Sequence, residues 1–410
     1  MIGDRELDLT LLGATGFVGR LVAEHLSRAA PAGLRIGLAG RSEGRLRAVR
    51  DGLGAAAADW PIVVADSDDT GSVRALAERS RVVVSTVGPY QRHGLALATA
   101  CAAAGTDYAD LTGEVLFVRD LIEQAHETAR ASGARLVVSC GFDTIPSDLA
   151  VHLLHRRAVG DGAGDLTDTT LRVRRLAGGL SGGTIDAMRL QLDRARRDPS
   201  LRRVLADPAA LSGGMAAPGQ SDVARPFLDA ETGEWDAPFV MAGYNTRLVR
   251  RSHALLHAAD GTGYGARFRY REVVPTGRGI GGRMRAAGIA AAMAALVAAM
   301  ATPGVRPLVD RLLPSPGEGP SEERRRSGSF AMETTTRTTG GRRYRAEVRA
   351  QGDPGYAATS VMLGEAGLAL AVDGGRCSPV GGVLTPAVAL GDVLVERLRR
   401  EGFTLDVAAA

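Results

Sequence analysis

The chain has 410 residues, of which 45% are hydrophobic and 23% are charged, and these proportions are typical of a soluble globular protein with two domains. A formal net charge of only +4 and an aromatic content of 4% make a nucleic-acid-binding protein and a lectin-like binder unexpected. None of the 50 basic residues is lysine, which excludes a Schiff-base lysine, a GxxxxGKS/T phosphate loop and the Tyr-x-x-x-Lys pair of short-chain dehydrogenases.

The cysteines and the first residues of the chain predict where the protein works. Cys101, Cys140 and Cys377 are far apart and lack CxxC spacing, which favours a reducing compartment and argues against a structural zinc site. The charged residues 1–8 lead directly into a predicted strand, so no signal peptide is expected. We therefore expect a cytoplasmic protein.

Residues 1–150 predict a Rossmann-type α/β domain, a doubly wound parallel sheet. Short β-branched or leucine-rich runs alternate there with alanine-rich stretches of helical length, as crossover connections between parallel strands require. Strands are predicted at 8–12, 35–39, 62–65, 82–85, near Tyr108 and at 136–139. Helices are predicted at 16–29, 43–53, 70–79, 94–104 and 115–132.

Residues 151–352 predict a second, α+β domain with a mixed sheet, because the regular alternation stops. Its strands are predicted at 170–175, 266–274, 329–338 and 342–351. A glycine-rich turn at 178–183, a polar loop at 206–238 and a Pro/Gly/Ser linker at 313–321 separate them. Residues 353–410 predict helices again, at 359–372 and 385–400, with a glycine-rich turn at 374–382 between them.

The stretch 286–302 carries no charge and consists mainly of alanine and other apolar residues. Its length lies at the short end of the roughly 17 to 25 residues that cross a bilayer as a helix. Three interpretations stay open: a buried core helix, a helix that faces lipid or an acyl channel, and a membrane span. Arg283, Arg285 and Arg306 flank the stretch, which suits a helix at a membrane surface as well as one with solvated ends.

A glycine-rich motif directly after the first predicted strand predicts a dinucleotide site. Gly13 permits the tight turn, Gly16 lets the backbone approach the pyrophosphate, and Gly19 lets the helix pack closely on the strand. The start of the helix then offers N–H groups and a partial positive charge to the phosphates. The candidate residues of the motif are Gly13, Ala14, Thr15, Gly16, Phe17, Val18 and Gly19.

The end of the second strand favours NADP over NAD. An NAD site usually has an acidic residue there to bind the ribose 2′-hydroxyl, but this chain has Arg41 and Ser42, which suit a 2′-phosphate. Asp66, after the third strand, is expected at the adenine edge. Gly88 and Pro89, after the fourth strand, are expected to pass close to the nicotinamide ribose.

Several longer motifs resemble those of the saccharopine dehydrogenase-like oxidoreductases and, more narrowly, the actinobacterial trans-acting enoyl reductase group. They are GATGFVG, AGRS, STVGPYQRHG, DYADLTGE, SCGFDTIPSD, SGGT, GEGPSEE, DPGY and GGVLTPA, spread over nearly the whole chain. The resemblance implies an NADP(H)-binding Rossmann domain, an inserted α+β substrate domain at 151–352, and C-terminal helices at 353–410 that return to the Rossmann domain.

The resemblance also implies an activity. Members of the narrower group are associated with reducing a double bond in a polyketide-derived acyl chain during complex-lipid assembly, and related animal proteins associate with lipid surfaces. The saccharopine enzymes of the lysine pathway use lysine and histidine for acid–base chemistry. Because this chain has no lysine, we do not expect their activity here.

Reduction of an enoyl thioester needs hydrogen-bond donors near the developing enolate oxygen and a proton for the α-carbon. Tyr90 and His93, which follow the fourth strand, are the predicted catalytic residues, with packing or ribose contacts as the alternative. Asp110, Thr112 and Glu114 follow the fifth strand. Their carboxylates are expected either to do acid–base chemistry or to cap the next helix.

The same two interpretations stay open for Asp143, Ser147 and Asp148 after the sixth strand. Cys140 is interpreted as a small core residue. The histidine pairs 152/155 and 253/257 have helical spacing but no accompanying carboxylate or cysteine set, so no metal site is predicted.

The sequence thus predicts an NADPH-dependent oxidoreductase, with enoyl reduction of an acyl or polyketide-derived lipid intermediate preferred. An imine or carbonyl reductase of the saccharopine reductase type and a non-catalytic NADP(H) sensor stay open as alternatives. A long apolar cavity would favour the first activity, and an arginine cluster around a small cavity the second. The expected partner is an apolar acyl substrate, free or carrier-bound. Nucleic acid is not expected to bind. Peripheral contact of 286–302 with the inner face of the plasma membrane and a homodimer are further expectations.

Overall fold

The structure, a computed structural model, describes residues 5–178, 182–217, 219–302 and 319–410. Parts of the predicted turn at 178–183 and of the linker at 313–321, and Arg306, lie outside these residues. Two seven-stranded sheets organise the described chain. The first is parallel throughout, and the second is mixed.

The first sheet has the strand order β13-β6-β5-β4-β1-β2-β3. Its order reverses between β1 and β4, which creates the crevice where doubly wound folds bind their ligands. The strands are β1 (Leu9–Leu12), β2 (Ile36–Gly40), β3 (Ile62–Val64), β4 (Val82–Ser85), β5 (Asp107–Ala109), β6 (Arg135–Val137) and β13 (Gly382–Leu384). The helices of this part are α1 (Phe17–Ala29), α2 (Glu43–Gly52), α3 (Thr70–Arg79), α4 (Tyr90–His93), α5 (Leu95–Ala104), α6 (Val115–Ser132) and α7 (Ile145–Gly160).

Glycine ends two of these helices. Gly105 and Gly133 follow α5 and α6 with φ angles of 70° and 82°, a left-handed conformation that glycine adopts without strain. The chain can therefore turn directly into β5 and β6. Apolar residues fill both faces of the sheet, as the parallel arrangement requires.

The C-terminal part of the chain adds a strand to each sheet, which the sequence analysis did not predict. Residues 382–384, at the end of the expected glycine-rich turn, form β13 and pair in parallel with β6. The last strand, β14 (Thr404–Ala409), pairs with β12 (Arg343–Gln351) at the edge of the second sheet. The helices of this part are α13 (Thr359–Val372), α14 (Pro386–Ala389) and α15 (Gly391–Arg400). The division at residues 150 and 352 stays a prediction.

The second sheet has the order β14-β12-β11-β7-β10-β9-β8, and only β7 and β10 in it are parallel. Two short strands lie within the predicted polar loop at 206–238. The strands are β7 (Leu166–Ala177), β8 (Phe227–Leu228), β9 (Trp235–Pro238), β10 (Arg269–Gly277), β11 (Ser329–Thr338), β12 (Arg343–Gln351) and β14 (Thr404–Ala409). The helices are α8 (Gly182–Arg197), α9 (Pro199–Ala206), α10 (Ala242–Asp260), α11 (Gly279–Ala301) and α12 (Glu322–Ser327).

The apolar stretch belongs to helix α11, which lies on the surface. Only 11% of its most apolar 18-residue segment is buried, and Ile280 and Met284 are 79% and 70% exposed. A buried core helix, one of the three interpretations, is therefore not what the structure shows. Residues 354–372 also form a helical segment that is long and apolar enough to cross a membrane. Of its most apolar 18 residues, however, 78% are buried, as in a core helix.

Candidate active site

A cavity of about 790 Å³ opens at the carboxyl edge of the first sheet. Residues of the second domain close it from the other side. Its lining comes from the glycine-rich loop, the segments after β4, β5 and β6, helix α8, and residues 240–244 and 354–359. This is the position at which doubly wound folds bind a dinucleotide and its substrate.

The glycine-rich loop has the geometry of a phosphate-binding turn. Gly13 has a φ of 88°, and a Cβ atom there would lie 2.6 Å from Thr86 Oγ1. A Cβ atom on Gly19 would collide with the carbonyl oxygen of Gly13, so α1 packs on β1 as closely as the motif predicts. Gly16 precedes α1, is exposed, and no side chain caps the helix. The first N–H groups of α1 are thus available to a pyrophosphate.

Arg41 and Ser42 lie next to this loop, because the Gly13 N–H donates to Ala39 O over 3.0 Å. Both side chains are exposed. Within the described chain Arg41 forms no ion pair, and the Ser42 hydroxyl, at the start of α2, makes no capping hydrogen bond. A free guanidinium, a free hydroxyl and a helix N-terminus together fit the 2′-phosphate of NADP.

The structure places the other predicted cofactor residues around the same edge. Ala14 is buried beneath the loop and Thr15 is half-buried. Asp66 is half-buried after β3, where its carboxylate accepts from the Asp68 N–H over 3.1 Å. The members of the predicted set that line the cavity are Gly16, Phe17, Val18, Gly19, Gly88 and Pro89.

Tyr90 lines the cavity, but its hydroxyl is already engaged. It donates to Ser85 O over 2.9 Å and accepts from the Leu111 N–H over 3.1 Å. Burial, followed by the negative charge of Asp110, raises the pKa of Tyr90 well above its usual value. This arrangement ties the end of β4 to the segment after β5, which favours the packing role. Catalysis by Tyr90 stays a prediction.

His93 lies apart from the cavity lining. Its Nδ1 atom is 2.6 Å from Asp68 Oδ1, so the side chain joins α4 to the segment after β3. The sequence analysis did not predict this pair, because it joins residues from two separate loops. A catalytic role for His93 stays a prediction.

Asp110 and Glu114 hold the backbone of the site in place. Asp110 Oδ1 accepts from the N–H groups of Thr112 and Ser139 over 3.0 and 2.8 Å, and Oδ2 accepts from a buried tyrosine. Glu114 accepts from the N–H groups of Tyr90 and residue 91 over 2.7 and 3.0 Å. Glu114 thus caps α4 and not the helix that follows it. Burial raises the pKa of both carboxyl groups, that of Asp110 to about 7.

Asp148 connects α7 to the second domain and the C-terminal segment. It accepts from the Ser252 hydroxyl over 2.5 Å and from the Ala387 N–H over 2.8 Å, and burial raises its pKa to about 6. Ser147 lies 3.4 Å from the side-chain nitrogen of Asn245. Cys140 is fully buried, and burial raises its pKa well above the usual value, as expected of a small core residue.

Tyr244, at the start of α10, is a site residue that the sequence analysis missed. Its hydroxyl is hydrogen-bonded to the Ser139 hydroxyl in the cavity wall. Ser139 has a φ of 66°, a conformation uncommon outside glycine and often found at functional sites. The two residues are far apart in the chain, and no local pattern marks a tyrosine on a helix as a site residue.

Asp143 faces the cavity without a partner. It is half-buried, and within the described chain its carboxyl group forms no hydrogen bond or ion pair. Among the described residues no side chain caps α7, so Asp143 does not have the capping role that one interpretation gave it. Enclosure by protein raises the pKa of Asp143 to about 7.

The rest of the cavity is mostly apolar. No arginine occurs among its described lining residues, although the chain has 50 basic residues. Its carboxyl groups are those of Glu114, Asp143 and Asp186. The apolar side chains that line it are Leu111, Val115, Phe142, Leu176, Ala187, Met188, Leu192, Leu205, Val240, Met241 and Val297.

The sequence matches proteins of one family over its whole length. Residues 9–137, from β1 to β6, match the family model of the saccharopine dehydrogenase NADP binding domain. A trans-acting enoyl reductase of Mycobacterium bovis (strain BCG) is 45% identical over 418 residues, which cover 98% of both chains. A Mycobacterium tuberculosis (strain H37Rv) protein, provisionally named a trans-acting enoyl reductase, is 49% identical over 98% of this chain and 97% of its own. This chain belongs to the trans-acting enoyl reductase family.

Membership of the trans-acting enoyl reductase family makes the protein an NADP-dependent oxidoreductase. The family, the enzyme class and the cofactor predicted from the sequence are thereby confirmed. Saccharopine dehydrogenase (L-Glu forming) of Saccharomyces cerevisiae is similar in fold, with a TM-score of 0.52 over 98% of this chain and 99% of that one. At 14% identity this likeness concerns the fold alone, and it confirms the predicted α/β class with a second, mixed sheet.

The described part of this trans-acting enoyl reductase family member holds no group of three or more His, Cys, Asp or Glu residues placed to bind a metal. One member of the second histidine pair, His253, accepts from the Tyr264 N–H over 3.0 Å. Burial lowers the pKa of His253 to about 4, so it is neutral at neutral pH. This histidine is part of the packing of the second domain.

Proposed function

We propose that the protein reduces a carbon–carbon double bond of an apolar acyl substrate in lipid biosynthesis, with NADPH as the reductant. The observation that carries the proposal is the cavity wall, which is mostly apolar and has no arginine among its described residues. The names of the relatives support the reaction type.

An imine or carbonyl reductase of small amino or keto acids fits this cavity less well. Such substrates carry a carboxylate, which proteins usually bind through arginine. The charged groups in the described lining are instead the carboxyl groups of Glu114, Asp143 and Asp186, and ionised forms of these groups would repel a substrate carboxylate. The apolar acyl substrate therefore remains the better candidate.

The chain's own residues would orient the cofactor for this reaction. When bound, NADPH supplies the hydride. Arg41 and Ser42 would hold the 2′-phosphate, the start of α1 the pyrophosphate, and Asp66 the adenine edge. Gly88 and Pro89 would leave room for the nicotinamide ribose, since both line the cavity where it meets the glycine-rich loop.

The test is NADPH oxidation with a panel of enoyl, keto and imine acceptors, including long-chain and carrier-bound enoyl thioesters. We expect turnover with long enoyl substrates and little with small keto or imino acids. Met188→Arg would place a cation in the apolar wall and should abolish long-chain turnover without weakening NADPH binding, whereas Met188→Leu should retain both. Tight NADPH binding without turnover of any acceptor would instead support an NADP(H) sensor.

We further propose that helix α11 contacts an anionic lipid surface. Its apolar side chains Ile280 and Met284 are exposed, and its only charged residues are Arg283 and Arg285. Apolar exposure combined with positive charge is typical of helices that bind at membrane interfaces. Val297 of the same helix lines the cavity, which would bring the lipid surface near the substrate.

Sedimentation with vesicles tests this contact. We expect the protein to sediment with phosphatidylglycerol vesicles more than with phosphatidylcholine vesicles, and Ile280→Glu with Met284→Glu to abolish the binding. Val159→Glu with Val380→Glu changes two residues outside α11 that are 61% and 52% exposed, adds the same charge and serves as the matched control. Equal binding by the double variant and the wild type would contradict the proposal. The cytoplasmic location and the homodimer stay predictions.

A further inference from the structure

We propose that Asp143 is the catalytic acid that delivers a proton to the α-carbon of the substrate, an assignment that rests on the proposed enoyl reduction. Asp143 follows β6 at the carboxyl edge of the first sheet and lines the cavity. Its Oδ2 atom lies 3.3 Å from the position that a Cβ atom on Gly113 would occupy. The carboxyl group is therefore beside the segment after β5, on the side of the cavity where the nicotinamide is expected.

The other acids of this region have their oxygens committed to the protein. Both oxygens of Glu114 and both oxygens of Asp110 accept hydrogen bonds. The Tyr90 hydroxyl donates to a backbone carbonyl, and the Tyr244 hydroxyl is paired with the Ser139 hydroxyl. Asp143 keeps its whole hydrogen-bonding capacity for a molecule in the cavity.

Asp186 is the other lining carboxylate without a partner in the described chain, but its position differs. It lies on α8 in the second domain, whereas Asp143 lies on the sheet edge that carries the cofactor motif. A proton donor must reach the carbon next to the one that receives the hydride. The sheet-edge position of Asp143 satisfies this requirement.

The surroundings of Asp143 favour its protonated form. Burial raises its pKa to about 7, and no arginine lines the cavity in the described chain to stabilise the carboxylate. The other ionisable groups of the lining are the carboxyls of Glu114 and Asp186 and the phenols of Tyr90, Tyr244 and Tyr356. Each of them is neutral or negative, so none of them favours ionisation of Asp143. A carboxyl group with a pKa near the working pH is well suited to general acid catalysis.

In the proposed step, bound NADPH would supply the hydride that forms a C–H bond at the β-carbon. The electron pair of the double bond would move toward the thioester to give an enolate. The O–H bond of the Asp143 carboxyl group then breaks, and its proton forms a C–H bond at the α-carbon. The Asp143 carboxylate regains a proton from water that enters through the open cavity.

The first test is the pH dependence of turnover in Asp143→Asn. Wild-type turnover should fall as the pH rises above about 7, because the acid is lost. The variant should be slower by about 10²- to 10⁴-fold and should lose this dependence, while its Kd for NADPH stays at the wild-type value. Asp143→Glu should recover part of the activity together with the pH dependence. Asp186→Asn makes the same chemical change in the same cavity and should keep the wild-type pH profile.

The second test needs no substrate. Asp110 and Glu272 also have a pKa of about 7, so the wild-type infrared spectrum is compared with that of Asp143→Asn: their difference should contain a protonated carboxyl band that titrates near pH 7 and belongs to Asp143. Wild-type turnover at the same rate in Asp143→Asn, or an Asp143 carboxyl already ionised at pH 5, would overturn this assignment alone. If the wild type reduced no enoyl thioester at all, both the proposed function and the role of Asp143 would be wrong.

Discussion

Arg41 is predicted to favour NADPH over NADH, because it is exposed, unpaired within the described chain and adjacent to the glycine-rich loop. Arg41→Asp should raise the Kd for NADPH about 10- to 150-fold, the equivalent of about 1.5–3 kcal/mol for hydrogen bonds to a charged group. The Kd for NADH should change little, since NADH has no 2′-phosphate. Fluorescence titration measures both constants.

Arg28→Asp is the control for that experiment. Arg28 is exposed in the last turn of α1, far from the phosphate end, and the substitution changes the net charge by the same amount. It should leave both dissociation constants near their wild-type values. Equal losses of NADPH and NADH affinity in Arg41→Asp would contradict the assignment of the 2′-phosphate to Arg41.

Tyr90 allows a second prediction at the residue scale. Tyr90→Phe removes a buried hydroxyl that joins Ser85 O to the Leu111 N–H, and both partners lose a hydrogen bond. The free energy of unfolding should fall by about 1–3 kcal/mol, while kcat stays within a few-fold of the wild type. Chemical denaturation and steady-state kinetics measure the two effects. A large loss of kcat with an unchanged free energy of unfolding would instead mean that Tyr90 is a catalytic residue.

Site residues that lie close together in the sequence could be predicted, whereas those that meet only in the folded chain could not. Gly13, Gly16 and Gly19 act within one turn, so their spacing alone indicated the phosphate site. Tyr244 reaches the cavity from another domain, and only the folded chain shows it. The position of Asp143 after β6 made it a candidate site residue in the sequence. The choice between an acid–base role and a helix cap, however, depends on its burial and on its lack of hydrogen bonds within the described chain.

At the scale of elements, the packing of α13 on the first sheet gives a matched pair of predictions. A Cβ atom on Gly367 would lie 2.6 Å from Val84 and 3.1 Å from Leu9, whereas one on Gly288 of α11 would meet no atom of the described residues within 4 Å. Gly367→Ala should therefore lower the free energy of unfolding by about 1–3 kcal/mol through overpacking. Gly288→Ala should raise it by up to about 1 kcal/mol, because alanine favours the helix.

Chemical denaturation measures both substitutions, which are chemically identical and differ only in their surroundings. A stabilising effect of Gly367→Ala would mean that α13 lies farther from β1 and β4 than the structure places it. A destabilising effect of Gly288→Ala would mean that α11 is covered in solution.

The elements that the sequence analysis missed have a common physical reason. Strand β13 has three residues and pairs with β6, about 250 positions earlier in the chain, so its pairing has no local signal. Strand β14 pairs with β12 in the same non-local way. The other strands of the first sheet were predictable because each is a short, mostly apolar run before a helix. The exposure of α11 was not predictable, since a core helix and a surface helix can share one composition.

At the scale of the whole molecule, three buried carboxyl groups connect segments of the two domains through hydrogen bonds. Asp110 connects β5 to β6, Asp148 connects α7 to α10, and Glu272 accepts from Tyr270 and Asn245. Burial raises the pKa of these carboxyls to between about 6 and about 7. Asp143 differs from these three, because within the described chain no hydrogen bond or ion pair compensates the charge of its carboxyl group. This is the pattern expected where stability is given up for chemistry.

That pattern predicts a pH-dependent gain in stability when Asp143 is neutralised. The pKa of Asp143 is about 7 in the folded protein and about 3.9 in an unfolded chain. Because the folded value is the higher one, the carboxyl costs no stability below about pH 4, and its cost grows as the pH rises to about 7. Asp143→Asn should therefore match the wild type in Tm near pH 4 and exceed it increasingly up to about pH 7. Calorimetry across this range measures the difference, with Asp59→Asn, an exposed change of the same charge, as the control. A variant curve that ran parallel to the wild-type curve would mean that Asp143 is already ionised in the folded protein, and it could then not donate the proton.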